Sequence, residues 1–327
     1  MKKRKLIQSG VFFVIGVTLF WYVYKDIDVS KIRSELGNLT YGWILFSLLF
    51  NLLSQLTRAL RWKKLIVSMD YHPGDLNLFL SILVLAFTNL VIPRGGEIAR
   101  CGVITKYDKV PFTKLVGTVF IERITDLAAL IFLFLVLIAW QFPVLKELFQ
   151  SANINITYSN YQSKIILYSS VILFVFLFVF LFVFVLYKLN VFKKFRQKIH
   201  KIKTDFIEGF KTIASIKGKG VYIFQTFLIY FFWLMMLYVM FFAYEPTQEL
   251  TLGNAAFVFA VSTFAFILPI QAGIGAWHYV VIQCLLLFGI SSQDGMVFAL
   301  LAHTFTNLVY LLFGAIALII LPLVNKN

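Results

Sequence analysis

An all-α protein built from membrane-crossing helices is the fold class that this sequence predicts, and three observations predict it. Hydrophobic residues make up 60% of the 327 residues and charged ones only 14%, whereas soluble domains carry about 45–50% and about 25%. Several windows exceed the roughly 18 apolar residues that mark a spanning helix, among them "LIQSGVFFVIGVTLFWYVY" and "IILYSSVILFVFLFVFLFVFVLY". These runs are too long and too uniformly apolar for the alternating strands of a transmembrane barrel.

Loop charges place the elements in order. Four basic residues precede Leu6, so the N-terminus is expected in the cytoplasm, and the first span covers 6–24. Its "MKKRK" head resembles a signal peptide, but no small-residue cleavage site follows, which predicts a retained span. The charge-balanced connector 25–40 is placed outside, and a second span, 41–58, ends in the basic "RALRWKK". The segment 76–92 is apolar but short, with basic flanks on both sides, as in a chain that enters the membrane and returns. Further spans are predicted at 113–140, 164–187, 220–243 and 296–323. Between the last two, the apolar segment 254–268 breaks at "LPIQAGIGAW" and resumes in "YVVIQCLLLFGI".

Each half thus reads as span, span, broken re-entrant pair, span. Three full crossings per half invert the second half relative to the first, the construction of many secondary transporters. The expectation is one integral membrane domain over 1–327, with inverted halves of about 1–145 and 160–327 joined through an outer loop. Eight or nine simple spans with kinks are the alternative. In the stretch 188–219, Phe192, Phe195, Ile199, Ile202, Phe206, Phe210 and Ile213 recur every three or four residues while Lys and Arg fill the other face. That pattern describes an amphipathic helix on the inner leaflet.

The net charge of +15 falls mostly in the cytoplasmic loops and implies anionic lipid rather than nucleic acid. Cys101 and Cys284 are the only cysteines, far apart, so disulfide, zinc and CxxC readings fail. No metal and no cofactor are expected. Both termini are expected in the cytoplasm, in a bacterial plasma (inner) membrane.

Charged groups at mid-membrane cost about 2.5–3.5 kcal/mol each on insertion scales and usually face a bundle interior or a wet cavity. "FIERITDLAALIF" places Glu122 and Asp126 on one helix face, with Arg123 three residues before Asp126. This is either a staple between helices or a polar-substrate or ion site. Asn51, Ser54, Gln55 and Arg58 make a polar stripe on the second span, suited to interhelical hydrogen bonding or to a site. Arg61, beside Trp62, Lys63 and Lys64, reads as an interfacial anchor. His303, Thr306 and Asn307 form another polar face in the last span.

The stretch "NLVIPRGGEIAR" carries a helix breaker and three charges where a span should be ending. Pro93 interrupts the helix, and Gly95 and Gly96 allow unusual dihedrals or close approach. A helix starting near Glu97 would aim free N–H groups at the break, with Arg94 and Arg100 able to meet one lipid phosphate in a cavity open to the cytoplasmic leaflet. Gly273, Gly275 and a helix beginning near Ala276 are expected to repeat this geometry, with His278 as the first ionisable group.

The stretches "RALRWKKL", "IPRGGEIARCGVITKYDKVPFTKLVGTVFIERITDLAALI" and "LPIQAGIGAWHYVVIQCLLLFGIS" resemble the transmembrane, flippase-like region of lysylphosphatidylglycerol synthases and its stand-alone relatives. The resemblance implies a module that moves polar lipids between leaflets. In the multiple peptide resistance factors, that module flips aminoacylated phosphatidylglycerol made by a soluble domain. The chain ends at Asn327, directly after its last predicted span, so that domain is expected to be absent and its synthase activity is not carried over. Trp277 and His278 stand where the family often has Arg-Glu, and His303 where an Arg is common, so the lipid headgroup must be met differently here.

The functional expectation is a translocase for a phospholipid or polyprenyl-phosphate-linked headgroup. With no Walker A sequence, transport would be passive or ion-coupled, with Glu97, Glu122 and Asp126 as ion candidates. The alternative is a membrane enzyme acting on lipid phosphates. Its architecture is compatible, but the breaks offer no Ser-rich phosphate loop or evident nucleophile.

Overall fold

A computed structural model describes residues 14, 16–92, 94–140, 218–267 and 270–326. The chain divides into two compact units, Met1–Trp140 with Gly209–Asn327, and Gln141–Glu208; every described residue belongs to the first. The predicted span 164–187, the amphipathic stretch 188–217 and the breakers Pro93 and Pro269 lie outside the described residues.

Among the described residues all regular structure is helical. Helix α1 covers 16–24 and α2 Val29–Asn38. The connector 25–40 therefore contains a helix that the sequence reading did not expect. It starts because Asp28 caps it, accepting from the Ser30 hydroxyl at 2.6 Å and the Ser30 N–H at 2.8 Å. Those bonds hold the Asp28 carboxyl below the usual carboxylate range.

Helix α3, Tyr41–Val67, runs nine residues past the predicted span end at 58. Helix α4, Asp75–Val91, is only 17 residues, about 25 Å long against roughly 30 Å of hydrocarbon. It stops at Ile92, which precedes Pro93 and is extended (φ −121°, ψ 110°), the backbone that a following proline favours. Helices α5 (Gly96–Asp108), α6 (Phe112–Trp140) and α7 (Lys219–Phe241) follow.

Helix α8, Leu252–Thr263, begins at a reciprocal cap between Thr251 and Asn254 and runs into a 3₁₀ turn, Phe264–Ile267. A second 3₁₀ turn, Gln271–Gly273, precedes α9, Ala276–Leu287. At 12 residues each, about 18 Å, neither α8 nor α9 reaches across a bilayer alone. The last helix, α10, covers Ser292–Val324. Helices α3, α7 and α10 are long and apolar enough to cross a membrane.

The packing brings distant parts of the chain together. Helix α3 lies along α7, and α10 along α4, where a side chain at Gly314 would run into Phe87 and the Leu83 carbonyl. Asn77 and Asn325 exchange two side-chain hydrogen bonds, of 2.8 and 3.0 Å, and lock the start of α4 to the end of α10. Trp62, Leu65, Ile66, Ile82, Cys101, Ile104, Leu115 and Ile121 form an apolar core shared by α3, α4, α5 and α6. Both short broken segments meet at α4, because the Gln271–Gly273 turn packs against that helix.

Candidate functional site

Against the apolar core lies a closed ring of three arginines and three carboxylates from α3, α5 and α6. Arg61 reaches Glu122 at 3.3 Å and Asp126 at 2.6 Å. Arg100 contacts Glu122 and, at 2.7 Å, Glu97. Arg123 closes the ring, at 3.3 Å from Glu97 and 3.1 Å from Asp126. Every arginine bridges two carboxylates and every carboxylate bridges two arginines. That balance lets six charges sit among apolar helices, since guanidinium presents several donors in a fixed fork.

One side of the ring is sealed and the other open. The side chains of Arg61, Glu122 and Arg100 are at most 1% exposed, whereas those of Glu97 and Asp126 are 23% and 17% exposed and that of Arg123 is 47% exposed. On the sealed side the Arg100 guanidinium lies 4.3 Å from the centre of the Trp62 ring, and the Trp62 indole donates to Thr118 at 2.8 Å. Arg61 also donates to Thr226 of α7 at 3.2 Å, and Tyr230 of α7 donates to the Asp126 carbonyl at 3.0 Å.

This geometry corrects one expectation and narrows two others. Arg61 is no interfacial anchor: it is 1% exposed and joins three helices. Arg100 is fully buried with its guanidinium held by two carboxylates, whereas Arg94 lies on the exposed turn before α5. Gly95 has ordinary helical dihedrals (φ −73°, ψ −25°); the left-handed residue is Arg94 (φ 58°). Of the two roles expected of the glycines, close approach is the one this break uses. A side chain at Gly96 would strike the Leu85 carbonyl and Asn89, whose Oδ1 accepts the Gly96 N–H at 2.9 Å. The turn folds α5 back onto α4 and so delivers Glu97 and Arg100 to the ring.

The second break is built differently, with left-handed backbone at Ala272 (φ 51°), Gly273 (φ 72°) and Gly275 (φ 81°). His278 sits in the first turn of α9, as the sequence suggests, and its Nδ1 accepts the Gly275 N–H at 3.2 Å. Its Nε2 is buried and meets no hydrogen-bonding partner among the described residues. The His278 and His303 rings are edge to face, 4.3 Å between centres. His303 Nε2 must carry a proton to reach the Ala272 carbonyl at 2.8 Å, which leaves Nδ1 to accept from Asn307 at 3.0 Å.

A row of polar side chains on α10 and α3 lies between the two breaks. From His303 and Asn307 the same face of α10 continues to Tyr310, whose hydroxyl receives Asn51 at 3.1 Å and Gln55 at 3.4 Å. Gln55 in turn accepts from Arg58 at 3.1 Å. Arg61 of the ring is the next turn of α3. The sequence reading found the stripe and the two polar faces, but had no means to join them: Tyr310 is one of 15 tyrosines and nothing local marks it.

No group of metal-ligating side chains occurs among the described residues. A UPF0104 membrane protein of Methanocaldococcus jannaschii is 27% identical over 143 residues, 43% of each chain, so the match spans less than half of that relative's length. No solved structure matches the chain. The family model of the lysylphosphatidylglycerol synthase TM region matches residues 9–314. The apolar helices and this near-complete match make the chain an integral membrane protein that belongs to the lysylphosphatidylglycerol synthase TM region family.

Proposed function

We propose that this chain is a lipid translocase, carrying a phospholipid or polyprenyl-phosphate-linked headgroup between leaflets, passively or coupled to an ion. One observation carries the reading: polar side chains of α10 and α3, from His303 to Arg58, follow one another through an apolar helical core between the two helix breaks. A polar headgroup needs such a path, since burying it unpartnered in hydrocarbon would cost several kcal/mol per group. Broken segments that converge near one another are where secondary transporters place their substrates.

In this reading α4–α5 and α8–α9 are the two re-entrant segments of inverted halves. Six helices cross a bacterial plasma membrane, and both termini are cytoplasmic. Glu97 and Asp126, on the open side of the ring, are the carboxylates placed to exchange an ion. Glu122, sealed between Arg61 and Arg100, is not.

The test uses purified full chain in vesicles with two readouts: transbilayer movement of a fluorescent phospholipid, and inorganic phosphate released from a polyprenyl diphosphate. Movement without release supports the translocase. Release without movement replaces it with a lipid-phosphate enzyme.

A further inference from the structure

Arg58 stands outside the balance of the ring. Its three ring neighbours among the arginines are matched by three carboxylates, but Arg58 makes no ion pair among the described residues. Its contacts are the Gln55 side chain at 3.1 Å and the face of Trp233, with 5.8 Å from guanidinium to ring centre. No ring carboxylate pairs with it: Glu97, Glu122 and Asp126 are each taken up by two other arginines. A half-buried cation without an ion pair in an apolar helical core is costly unless an anion joins it.

We propose that Arg58, with Gln55 and Tyr310 behind it, binds a monoanionic phosphate ester, and that the headgroup moved along the track is therefore anionic at this point. The inference rests on the translocase reading for its transport role, but the binding site stands on the charge balance alone. One negative charge completes the set, since four arginines then face three carboxylates and one phosphate. Trp233 and the aliphatic stem of Arg58 leave an apolar flank on which acyl chains can lie. Guanidinium suits a phosphate better than ammonium because it offers two parallel donors.

The probes are dihexanoyl phosphatidylglycerol, dihexanoylglycerol with the same chains and no phosphate, and inorganic phosphate, each titrated into the full chain in a neutral detergent. Saturable binding of the phosphatidylglycerol, without binding of the dihexanoylglycerol, is expected. Inorganic phosphate competing for the site would identify the phosphate itself as what is recognised; without competition, a lipid-borne phosphate ester is required. Arg58→Gln should weaken phosphatidylglycerol binding about tenfold or more, and Arg58→Lys less. Because Arg58 is in no ion pair and its burial is costly, Arg58→Gln should melt no lower than the parent, and the Trp233→Phe protein should still bind.

Equal binding of the phosphate-free lipid, or unchanged affinity in a folded Arg58→Gln protein, overturns the site. Binding that is lost in Arg58→Gln while the parent moves no lipid keeps the site and removes the translocase reading. Lipid movement with an unaffected Arg58→Gln protein does the reverse.

Discussion

Arg61 on α3 and Asp126 on α6 lie 2.6 Å apart, and through them the span that follows the N-terminal region is tied to the helix that carries three of the six ring charges. Removing Arg61 leaves Asp126 and Glu122 each with one arginine, inside a core that water reaches poorly. Breaking a buried pair in this way commonly costs about 3–5 kcal/mol. Arg61→Gln should therefore lower the thermal midpoint of the detergent-purified chain strongly. Arg61→Lys should fall between, because an ammonium keeps the charge but cannot bridge two carboxylates from fixed directions. Equal midpoints for parent and Arg61→Gln would mean that the ring contributes no net stability.

The same residue shows where the sequence was legible and where it was not. Helix existence and the two breaks were readable, because apolar runs and Pro/Gly interruptions are local signals. Arg61 was misjudged because Lys63 and Lys64 beside it imitate a cytoplasmic anchor. Lys63 itself is partly exposed and pairs with exposed Asp75 at 2.6 Å. The overlooked signal was periodicity: three residues beyond Arg58, Arg61 continues the stripe that begins at Asn51. The ring itself is hidden, since nothing local says that Arg100 folds back onto Glu122 and Glu97 onto Arg123. Likewise α2 was missed because a ten-residue amphipathic helix between spans carries no hydropathy signal, although Asp28 and Ser30 supply a readable cap.

Within α5, two glycines should respond in opposite directions. Gly96→Ala places a methyl against the Leu85 carbonyl and Asn89 and must push α5 away from α4. A loss of about 1–3 kcal/mol is expected, as for other overpacked positions. Gly102 has nothing within 4 Å of an added Cβ, so Gly102→Ala should be neutral or stabilising by up to about 1 kcal/mol through helix propensity. Thermal melts of the two variants side by side check this. A Gly96→Ala protein as stable as Gly102→Ala would contradict the close approach.

Gly275 tests the second break. It combines φ 81° with α1 pressed against it, so that an added Cβ would lie 2.7 Å from Leu19 Cβ and from the Phe20 nitrogen. Gly275→Ala should displace α1 as well as strain the turn. Val23, 7% exposed in α1, gives a readout: a cysteine placed there should react slowly with a maleimide in the parent and markedly faster in the Gly275→Ala background. Identical rates would show that α1 does not depend on this contact.

The most direct test of the account removes the track and keeps the ring. Asn51→Leu with Gln55→Leu takes away both side chains that reach Tyr310, while Arg61, Arg100 and Arg123 keep all their carboxylates. The measurement is the rate at which a fluorescent phosphatidylglycerol in reconstituted vesicles becomes accessible to an impermeant quencher. Acceleration by the parent over protein-free vesicles is expected, with a fall of about tenfold or more in the folded double variant, since each unpaired polar group in hydrocarbon adds several kcal/mol to the path. A double variant that moves lipid as fast as the parent, or a parent no faster than protein-free vesicles, would contradict it.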